Sequence, residues 1–242
     1  MLPARRANGS PAVLKVNFPE PESEHEAEAL AGWNGKGAVR LLARDDERRA
    51  LLVERCLPGT QLWALDENEA NEIAADVLSR LWQGPTAGPF RPLAEEAARW
   101  AAQLPGAWEV AGRPFERELL EEAVDFLRRE TSPVADAVLL HQDLHGGNIL
   151  SSERGWLAID PKPLVGERAF DVASLLRDRR EVLARDLEAA ARVRRRLDFF
   201  SYRLGLDRER VRGWGIAHAL AWGFEGNRVL PEHVECARLL MG

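Results

Sequence analysis

Hydrophobic and polar positions follow two different patterns along the chain, and the change comes near residue 60. Before it, short apolar runs predict strands over Ala12–Val16, Gly37–Ala43 and Arg49–Glu54, the last two forming a hairpin. A helix is predicted over Glu22–Trp33, with Ser23 as its cap. Beyond residue 60, apolar residues recur every three or four positions, which predicts helices over Asp66–Gln83, Leu93–Gln103, Pro114–Glu130, Ala169–Arg177, Arg180–Leu204, Arg208–Glu225 and Pro231–Leu240.

This pattern predicts an α+β fold with a small β-rich N-terminal lobe, residues 1–57, and a mainly helical C-terminal lobe, residues 58–242. The turn-forming run Cys56–Thr60 marks the boundary between them. Three short β-like pieces, 138–143, 148–151 and 156–160, interrupt the helical pattern in the middle of the second lobe. They are the part of that lobe in which polar residues cluster.

Composition narrows the class of protein. Hydrophobic residues make up 45% and charged residues 30% of the 242 positions, as in a folded globular chain. No apolar run reaches the roughly 20 residues of a membrane span, and no signal peptide begins the chain, so we expect a cytoplasmic protein without a membrane partner. The net charge of −6 speaks against a nucleic-acid partner. Two cysteines, Cys56 and Cys236, are too few for a disulfide framework or a zinc ribbon.

Candidate chemistry is concentrated in His141–Asp160, which reads HQDLHGGNILSSERGWLAID. Asp143 follows an apolar run, and Asn148 comes five residues later, after two glycines that allow a tight turn. Asp160 ends the next apolar strand. Carboxylate and amide oxygens of this kind suit Mg²⁺. Zinc held by His141 and His145 together with Asp143 is the alternative that this stretch leaves open.

The spacing H-x-D-x-x-x-x-N, followed by an Asp after a strand, is that of the protein-kinase catalytic loop. There the first Asp accepts the proton of the attacking hydroxyl, while the Asn and the later Asp hold Mg²⁺. Lys15, within the run AVLKV, suits the phosphate-binding lysine of such enzymes. Its expected carboxylate partner is Glu26, with Glu22 and Glu28 as rivals. A further lysine, Lys162, is placed to approach the γ-phosphate.

Two longer segments carry a family resemblance. HQDLHGGNIL followed by IDPKPLVGERAFDVASLL resembles the aminoglycoside phosphotransferase family. The run ALLVERCLPGTQL and the Trp-rich C-terminal helices resemble its aminoglycoside/hydroxyurea resistance branch, whose activities include streptomycin 6-phosphotransfer. The resemblance implies a protein-kinase-like two-lobed fold that uses ATP and Mg²⁺. The implied acceptor is a small-molecule hydroxyl, most simply that of an aminoglycoside such as streptomycin; another sugar, a nucleoside or hydroxyurea is the alternative.

The resemblance also implies roles for single residues. It implies Asp143 as the catalytic base, Asn148 and Asp160 as the Mg²⁺ ligands, and Lys15 on the phosphates with Glu26 as its partner. The nucleotide-binding hinge falls on Glu54, Arg55 and Cys56, whose backbone would meet adenine. His141 and Asp171 take structural roles.

The chain departs from the family pattern at its start. Fourteen residues precede Lys15, where the family has two strands and a phosphate-covering loop, so we expect a shortened N-terminal lobe. This departure favours a further alternative, a non-catalytic binding module. Retention of Lys15, Asp143, Asn148 and Asp160 speaks against it. Gln142 also stands where the family more often has glycine.

Overall fold

The computed structural model describes residues 1–132, 134–179 and 188–242. Its strands are β1 (Leu2–Arg5), β2 (Pro11–Val16), β3 (Leu41–Asp45), β4 (Ala50–Glu54), β5 (Arg91–Pro92), β6 (Val138–Leu140), β7 (Ile149–Ser152), β8 (Gly155–Ala158), β9 (Leu164–Gly166), β10 (Phe224–Glu225) and β11 (Arg228–Val229). Its helices are α1 (Glu26–Trp33), α2 (Glu67–Leu81), α3 (Leu93–Val110), α4 (Arg117–Arg129), α5 (Arg168–Asp171), α6 (Ala173–Leu176), α7 (Ala189–Leu204), α8 (Arg208–Ala221) and α9 (Pro231–Met241). The predicted helix over Arg180–Leu204 is confirmed from Ala189 onward, and its start lies outside the described residues.

Packing divides the chain into two compact units, Met1–Phe90 with Val138–Val165, and Arg91–Ala137 with Gly166–Gly242. These units cut the chain elsewhere than after residue 57, because the segment that carries Asp143 and Asp160 packs with the first ninety residues. The lobe boundary after residue 57 stays a prediction. No helix in the described parts of the chain is long and apolar enough to cross a membrane.

The first unit contains an antiparallel sheet in the order β1-β2-β4-β3. Strands β2 and β4 match the predicted runs to within one residue, whereas β3 begins at Leu41, four residues after the predicted start, and continues to Asp45. Strand β1 is an addition that those runs do not reveal, since it carries both a proline and an arginine. A turn closed by Asn8, whose side-chain oxygen accepts from the Ser10 amide at 3.1 Å, brings β1 back against β2.

The register of this sheet decides which way Lys15 points. Lys15 lies opposite Leu51 in the β2–β4 ladder. Its neighbours Leu14 and Val16 are exposed, and successive strand side chains point to opposite faces. Lys15 is therefore directed to the other face, where its ammonium meets Glu26 of α1.

Helix α1 begins later than the sequence predicts. A short 3-10 turn over Pro21–Ser23 precedes it, and His25 is its N-cap without a side-chain hydrogen bond. The predicted capping role of Ser23 is wrong, because its hydroxyl donates to the Phe18 and Glu20 carbonyls instead. Glu26 is the first residue of the helix and is buried.

The segment that carries Asp143 and Asp160 joins this unit through its strands. Strands β7 and β8 form a hairpin, and β9 lies beside β6. Ala158 in β8 donates to the Gly37 carbonyl at 2.8 Å and accepts from the Val39 amide at 3.0 Å. Helix α2, capped by the Asp66 side chain, buries the apolar face formed by Ala74, Val77, Leu78 and Leu81. These contacts fix the end of β8, and hence Asp160, within the first unit.

The second unit is mainly helical and is built around aromatic side chains. Phe170 contacts Trp214 edge-on, with ring centroids 5.1 Å apart, and lies 5.9 Å from Trp100. Glu167 accepts a hydrogen bond from the Trp214 indole and pairs with Arg210 at 2.8 Å. Asp171, expected to be structural, is fully buried in α5.

Helix bounds in this unit differ from the prediction in several places: the predicted helix Ala169–Arg177 is divided into α5 and α6, and α4 begins at Arg117 rather than at Pro114. Helix α3 runs through Pro105 to Val110, although proline removes a backbone donor, because Leu104 and Trp108 on either side are buried. Helix α8 ends at Ala221, and Glu225 lies in the short strand β10.

Candidate active site

Lys15 joins two carboxylates from distant parts of the first unit. Its Nζ donates to Glu26 Oε2 at 2.6 Å and to the Asp160 carboxylate. Asn17 donates to the same Glu26 oxygen at 2.8 Å. The structure therefore brings Lys15 to Glu26 rather than to Glu22 or Glu28, and adds Asp160 to the pair. Glu28 instead pairs with Arg44 at 2.6 Å.

The two carboxylates respond differently to this environment. Burial raises the pKa of Glu26, although the Lys15 charge and the hydrogen bonds from Lys15 and Asn17 act in the opposite direction. Burial also acts to raise the pKa of Asp160, but the charges of Lys15 and Lys162 outweigh it and lower that pKa overall. Asp160 is consequently ionised at neutral pH, as a metal ligand must be.

Asp143 lies in the loop after β6 and is 7% exposed. Lys162 Nζ donates to its Oδ2 at 3.1 Å, and His145 Nε2 lies 4.0 Å from its Oδ1. The Asn148 side-chain amide donates to the Asp143 carbonyl at 3.0 Å. Asp143 and Asn148 are thus held together across the tight turn of the two glycines.

The loop is anchored by its buried histidine. His141 Nε2 lies 3.0 Å from the Ile159 carbonyl, and the His141 ring stacks on Trp33 with 6.2 Å between ring centroids. Its carbonyl accepts from the amides of Asp143 at 2.9 Å and Lys162 at 3.0 Å. His141 therefore ties the residues before Asp143 to the residues around Asp160.

Two residues of the candidate site have positive φ: Gln142 in this loop at 67°, and Asp160 after β8 at 59°. This left-handed region costs a residue with a Cβ roughly 1–2 kcal/mol relative to glycine. Glycine has no Cβ and adopts this conformation without that cost. Gln142 is nonetheless fully buried here.

The side chains suit Mg²⁺ better than zinc. Because the Asn148 Nδ2 is used by the Asp143 carbonyl, the atom that Asn148 offers a cation is its oxygen. Together with the ionised Asp160 this is a hard-oxygen donor pair of the kind that Mg²⁺ prefers. His145 Nδ1 accepts from the Gly147 amide at 3.1 Å, and the described residues contain no group of three or more His, Cys, Asp or Glu suited to a metal.

The predicted hinge residues lie at the end of β4. The Glu54 carboxylate holds Arg154 from the β7–β8 hairpin at 2.6 Å and accepts the Arg40 amide at 3.0 Å. Arg55 is exposed and Cys56 is buried. Burial and the nearby Glu54 charge raise the pKa of Cys56 to about 11, so its thiol is not a nucleophile. That the backbone of these three residues meets adenine stays a prediction.

Trp63 is the site residue that sequence reasoning missed. It lies in the 3-10 turn Leu62–Ala64, and its ring stacks on His145 with 5.3 Å between centroids and 11° between planes. The turn is held beside the loop by backbone pairing of Gln61 with Leu150. Nothing in the local sequence signals this contact, because Trp63 and His145 are far apart along the chain.

Gly147 leaves room for this stack, and we expect Gly147→Ala to disrupt it. A Cβ at this position would lie 2.7 Å from the Trp63 ring and 2.9 Å from His145. The overlap should cost about 1–3 kcal/mol of stability and change the Trp63 fluorescence. Gly106→Ala is the matched control, since a Cβ there meets nothing within 4 Å. Equal stability of the Gly147→Ala variant and the wild type would contradict the packing described.

Because His141 is buried, we expect the folded protein to lose stability in mild acid. Burial lowers its pKa from 6.5 to about 4, so the folded chain keeps the ring neutral while the unfolded chain takes up a proton. The free energy of unfolding should therefore fall between about pH 6.5 and pH 4, by about 3 kcal/mol at 1.36 kcal/mol per pKa unit. The raised pKa of Glu26 acts in the opposite sense.

Denaturant unfolding of the wild type and of His141→Gln across this pH range isolates the histidine contribution. The difference in stability between the wild type and His141→Gln should be largest near neutral pH and should shrink toward pH 4. Only the wild type has the buried histidine, and protonation of this residue in the unfolded chain lowers the stability of the wild type in acid. Parallel curves would contradict the assignment of this titration to His141.

Comparison with known families gives one description for nearly the whole chain. The family model of the aminoglycoside/hydroxyurea antibiotic resistance kinases matches residues 1–226. The streptomycin 6-kinase of Streptomyces glaucescens is 35% identical over 249 aligned positions, which cover 100% of this chain and 81% of that protein. The hydroxyurea phosphotransferase of Kitasatospora aureofaciens is 38% identical over 254 positions, covering 100% of this chain and 71% of that protein.

Solved structures confirm the predicted fold. An aminoglycoside phosphotransferase from Streptomyces rimosus, in complex with ADP and streptomycin, aligns with a TM-score of 0.60 at 22% identity over 90% of each chain. The choline kinase of Streptococcus pneumoniae aligns with a TM-score of 0.62 at 15% identity, covering 99% of this chain and 88% of that one. The protein-kinase-like architecture, with a small β-rich N-terminal part and a mainly helical remainder, is thus shared with small-molecule kinases.

Proposed function

We propose that this chain, which belongs to the aminoglycoside/hydroxyurea antibiotic resistance kinase family, transfers the γ-phosphoryl group of ATP to a hydroxyl of an aminoglycoside, with streptomycin as the first substrate to test. The observation that carries the proposal is the meeting of Asp143, Asn148 and the Lys15–Asp160 pair within one compact unit. A proton acceptor, an oxygen-donor pair and a phosphate-binding cation are the groups that phosphoryl transfer requires.

Each side chain has a task that follows from its contacts. Asp143 accepts the proton of the attacking hydroxyl, and Lys15, held by buried Glu26, turns an N–H toward the phosphates. Asn148 and Asp160 hold Mg²⁺, which when bound neutralises phosphate charge. The loop anchor at His141 keeps Asp143 at a constant distance from Asp160. Catalysis rests on positioning and electrostatics, because the transferred group needs little covalent help.

The proposed acceptor is supported by the substrates that the similar kinases are named for. Two streptomycin 6-kinases match 99% or more of this chain at 35% identity, which supports the 6-hydroxyl of streptomycin. A streptomycin 3''-kinase from Klebsiella pneumoniae matches 90% of the chain at 36% identity. Hydroxyurea is the second candidate acceptor, supported by the relative that is 38% identical over the whole chain.

Mass spectrometry of a reaction with MgATP and each acceptor tests the proposal. We expect streptomycin to gain one phosphoryl group, with NMR placing it on the 6-hydroxyl, and hydroxyurea to react more slowly. The Asp143→Asn chain is the matched control, since it changes one atom of the proposed base. Preference for hydroxyurea, or a 3''-phosphorylated product, would replace the acceptor while keeping the enzyme class.

The alternative of a non-catalytic binding module gives a different result. It predicts no phosphorylated product with any acceptor in the panel and no ADP release above the Asp143→Asn background. Calorimetric titration of MgATP then shows whether such a module still binds nucleotide. Binding without turnover identifies a nucleotide-binding module, whereas a folded chain that binds no nucleotide contradicts the proposed function entirely.

A further inference from the structure

A lysine from outside the proposed catalytic loop places its positive charge beside Asp143. Between Asp143 and Asn148 the chain reads Leu-His-Gly-Gly, without lysine or arginine. Lys162, which follows Asp160 by two residues, supplies an ammonium 3.1 Å from Asp143 Oδ2. Its side chain is about one quarter exposed, so the group is within reach of a ligand.

Lys162 is held in this position at both ends. Its backbone amide donates to the His141 carbonyl at 3.0 Å, and its side chain reaches Asp143 two residues further along the same loop. Lys162 also stands two positions after Asp160 in the chain. Its ammonium therefore contacts the proposed base and belongs to the same short segment as the proposed metal ligand. A phosphoryl group in transfer must occupy the space near those same two groups.

The two oxygens of Asp143 are made unequal by this contact. Oδ2 accepts from Lys162, whereas Oδ1 faces His145 Nε2 at 4.0 Å. His145 is itself oriented by the Trp63 stack and by the Gly147 amide on its Nδ1. The acceptor hydroxyl is accordingly expected at Oδ1, on the His145 side, and the phosphoryl group on the Lys162 side.

We propose that Lys162 is a catalytic residue that donates a hydrogen bond to a non-bridging oxygen of the γ-phosphoryl group during transfer, and this rests on the proposed function. The acceptor O–H proton passes to Asp143 Oδ1 as the acceptor oxygen forms its bond to phosphorus. The bond from phosphorus to the β–γ bridging oxygen breaks, and ADP leaves with that electron pair. Lys162 stays protonated throughout and offsets negative charge on the phosphoryl oxygens.

Steady-state kinetics of Lys162→Met and Lys162→Arg test this assignment. Removing one preorganised donor to a developing charge lowers kcat by about 10²- to 10³-fold, which we expect for the methionine variant. The KM for the acceptor should change little, and arginine should restore most of kcat because it keeps the charge. Lys36→Met, which removes an exposed lysine, is the control.

A sulfur substitution separates direct contact with the phosphoryl group from an effect through Asp143. Wild type should be slower with ATPγS than with ATP, partly because sulfur is a poorer acceptor for the ammonium. In Lys162→Met this difference should shrink, since the contact is already absent. An unchanged ATP to ATPγS rate ratio would assign Lys162 a positioning role on Asp143 and overturn the proposal, as would a kcat within threefold of wild type.

These experiments distinguish a failure of the proposed function from a failure of the role proposed for Lys162. Failure of the wild type to phosphorylate any acceptor contradicts the proposed function. The ratio of the rates with ATP and ATPγS is then measured for the wild type and Lys162→Met with water as the acceptor. If the methionine variant does not fold, as judged by its thermal unfolding, Lys162→Gln and Lys162→Arg replace it. The expected order of kcat is then wild type, arginine, glutamine, and equal rates for all three would overturn the proposal.

Discussion

Replacement of Asp143 by asparagine is expected to lower the turnover of streptomycin phosphorylation by about 10²- to 10⁴-fold, the range for a positioned general base. Asparagine retains an oxygen for the Lys162 ammonium, which now lies 3.1 Å from Asp143 Oδ2, but it cannot accept the hydroxyl proton. The loop should stay in place, because His141 and Asn148 contact backbone atoms rather than this carboxylate. MgATP affinity should therefore remain within about threefold of wild type.

Turnover and nucleotide affinity are measured on the same preparations, by phosphate-transfer assay and calorimetry. Asp125→Asn is the matched control, since Asp125 is an exposed carboxylate on α4. Wild-type turnover in the Asp143→Asn chain would remove Asp143 from the role of base. A parallel loss of nucleotide binding would instead indicate that the loop has moved.

Replacement of Asp160 by alanine is expected to abolish the Mg²⁺-dependent part of ATP binding. Asp160 is the ionised carboxylate of the proposed metal pair, and Asn148 contributes only a neutral amide oxygen. The same substitution releases Lys15 from one of its two carboxylates while Glu26 continues to hold it. Binding of metal-free ATP should consequently be as tight as in the wild type or tighter.

Calorimetric titrations of ATP with Mg²⁺ and with EDTA give the two affinities for each chain. The wild type should bind more tightly with Mg²⁺, and the two titrations of Asp160→Ala should coincide. Asp46→Ala, in the exposed β3–β4 turn, is the control and should behave as the wild type. A persistent Mg²⁺ effect in the Asp160→Ala chain would take Asp160 out of the metal site, and Asn148→Ala would then identify which group remains.

The pairing of Lys15 with Glu26 shows how far local sequence reasoning reaches. The strand pattern placed Lys15 in β2 and the helix pattern placed Glu26 in α1, eleven residues apart. The sequence offers Glu22, Glu26 and Glu28, and predicts Glu26 as the partner without fixing where the helix begins. The structure starts α1 at Glu26 with His25 as its N-cap, so the predicted capping role of Ser23 is wrong. Glu26 meets Lys15 because it lies on the buried face of α1.

Other features escaped sequence reasoning for identifiable reasons. Strand β1 has no apolar alternation and is defined only by its pairing with β2. Helix α3 continues through Pro105 because buried neighbours hold it, against the local tendency of proline to end a helix. In both cases long-range contacts outweigh the local preference of the residues.

The sequence by itself determined which chemical groups are the candidates for catalysis in this protein. The spacing of Asp143, Asn148 and Asp160, and the glycines between the first two, are local properties that a linear pattern records. Only the tertiary structure decided that Asp160 meets Lys15, 145 positions away, that Lys162 holds one oxygen of Asp143, and that Trp63 orients His145. These contacts join side chains from separate elements, so their geometry exists only once the elements have packed against one another.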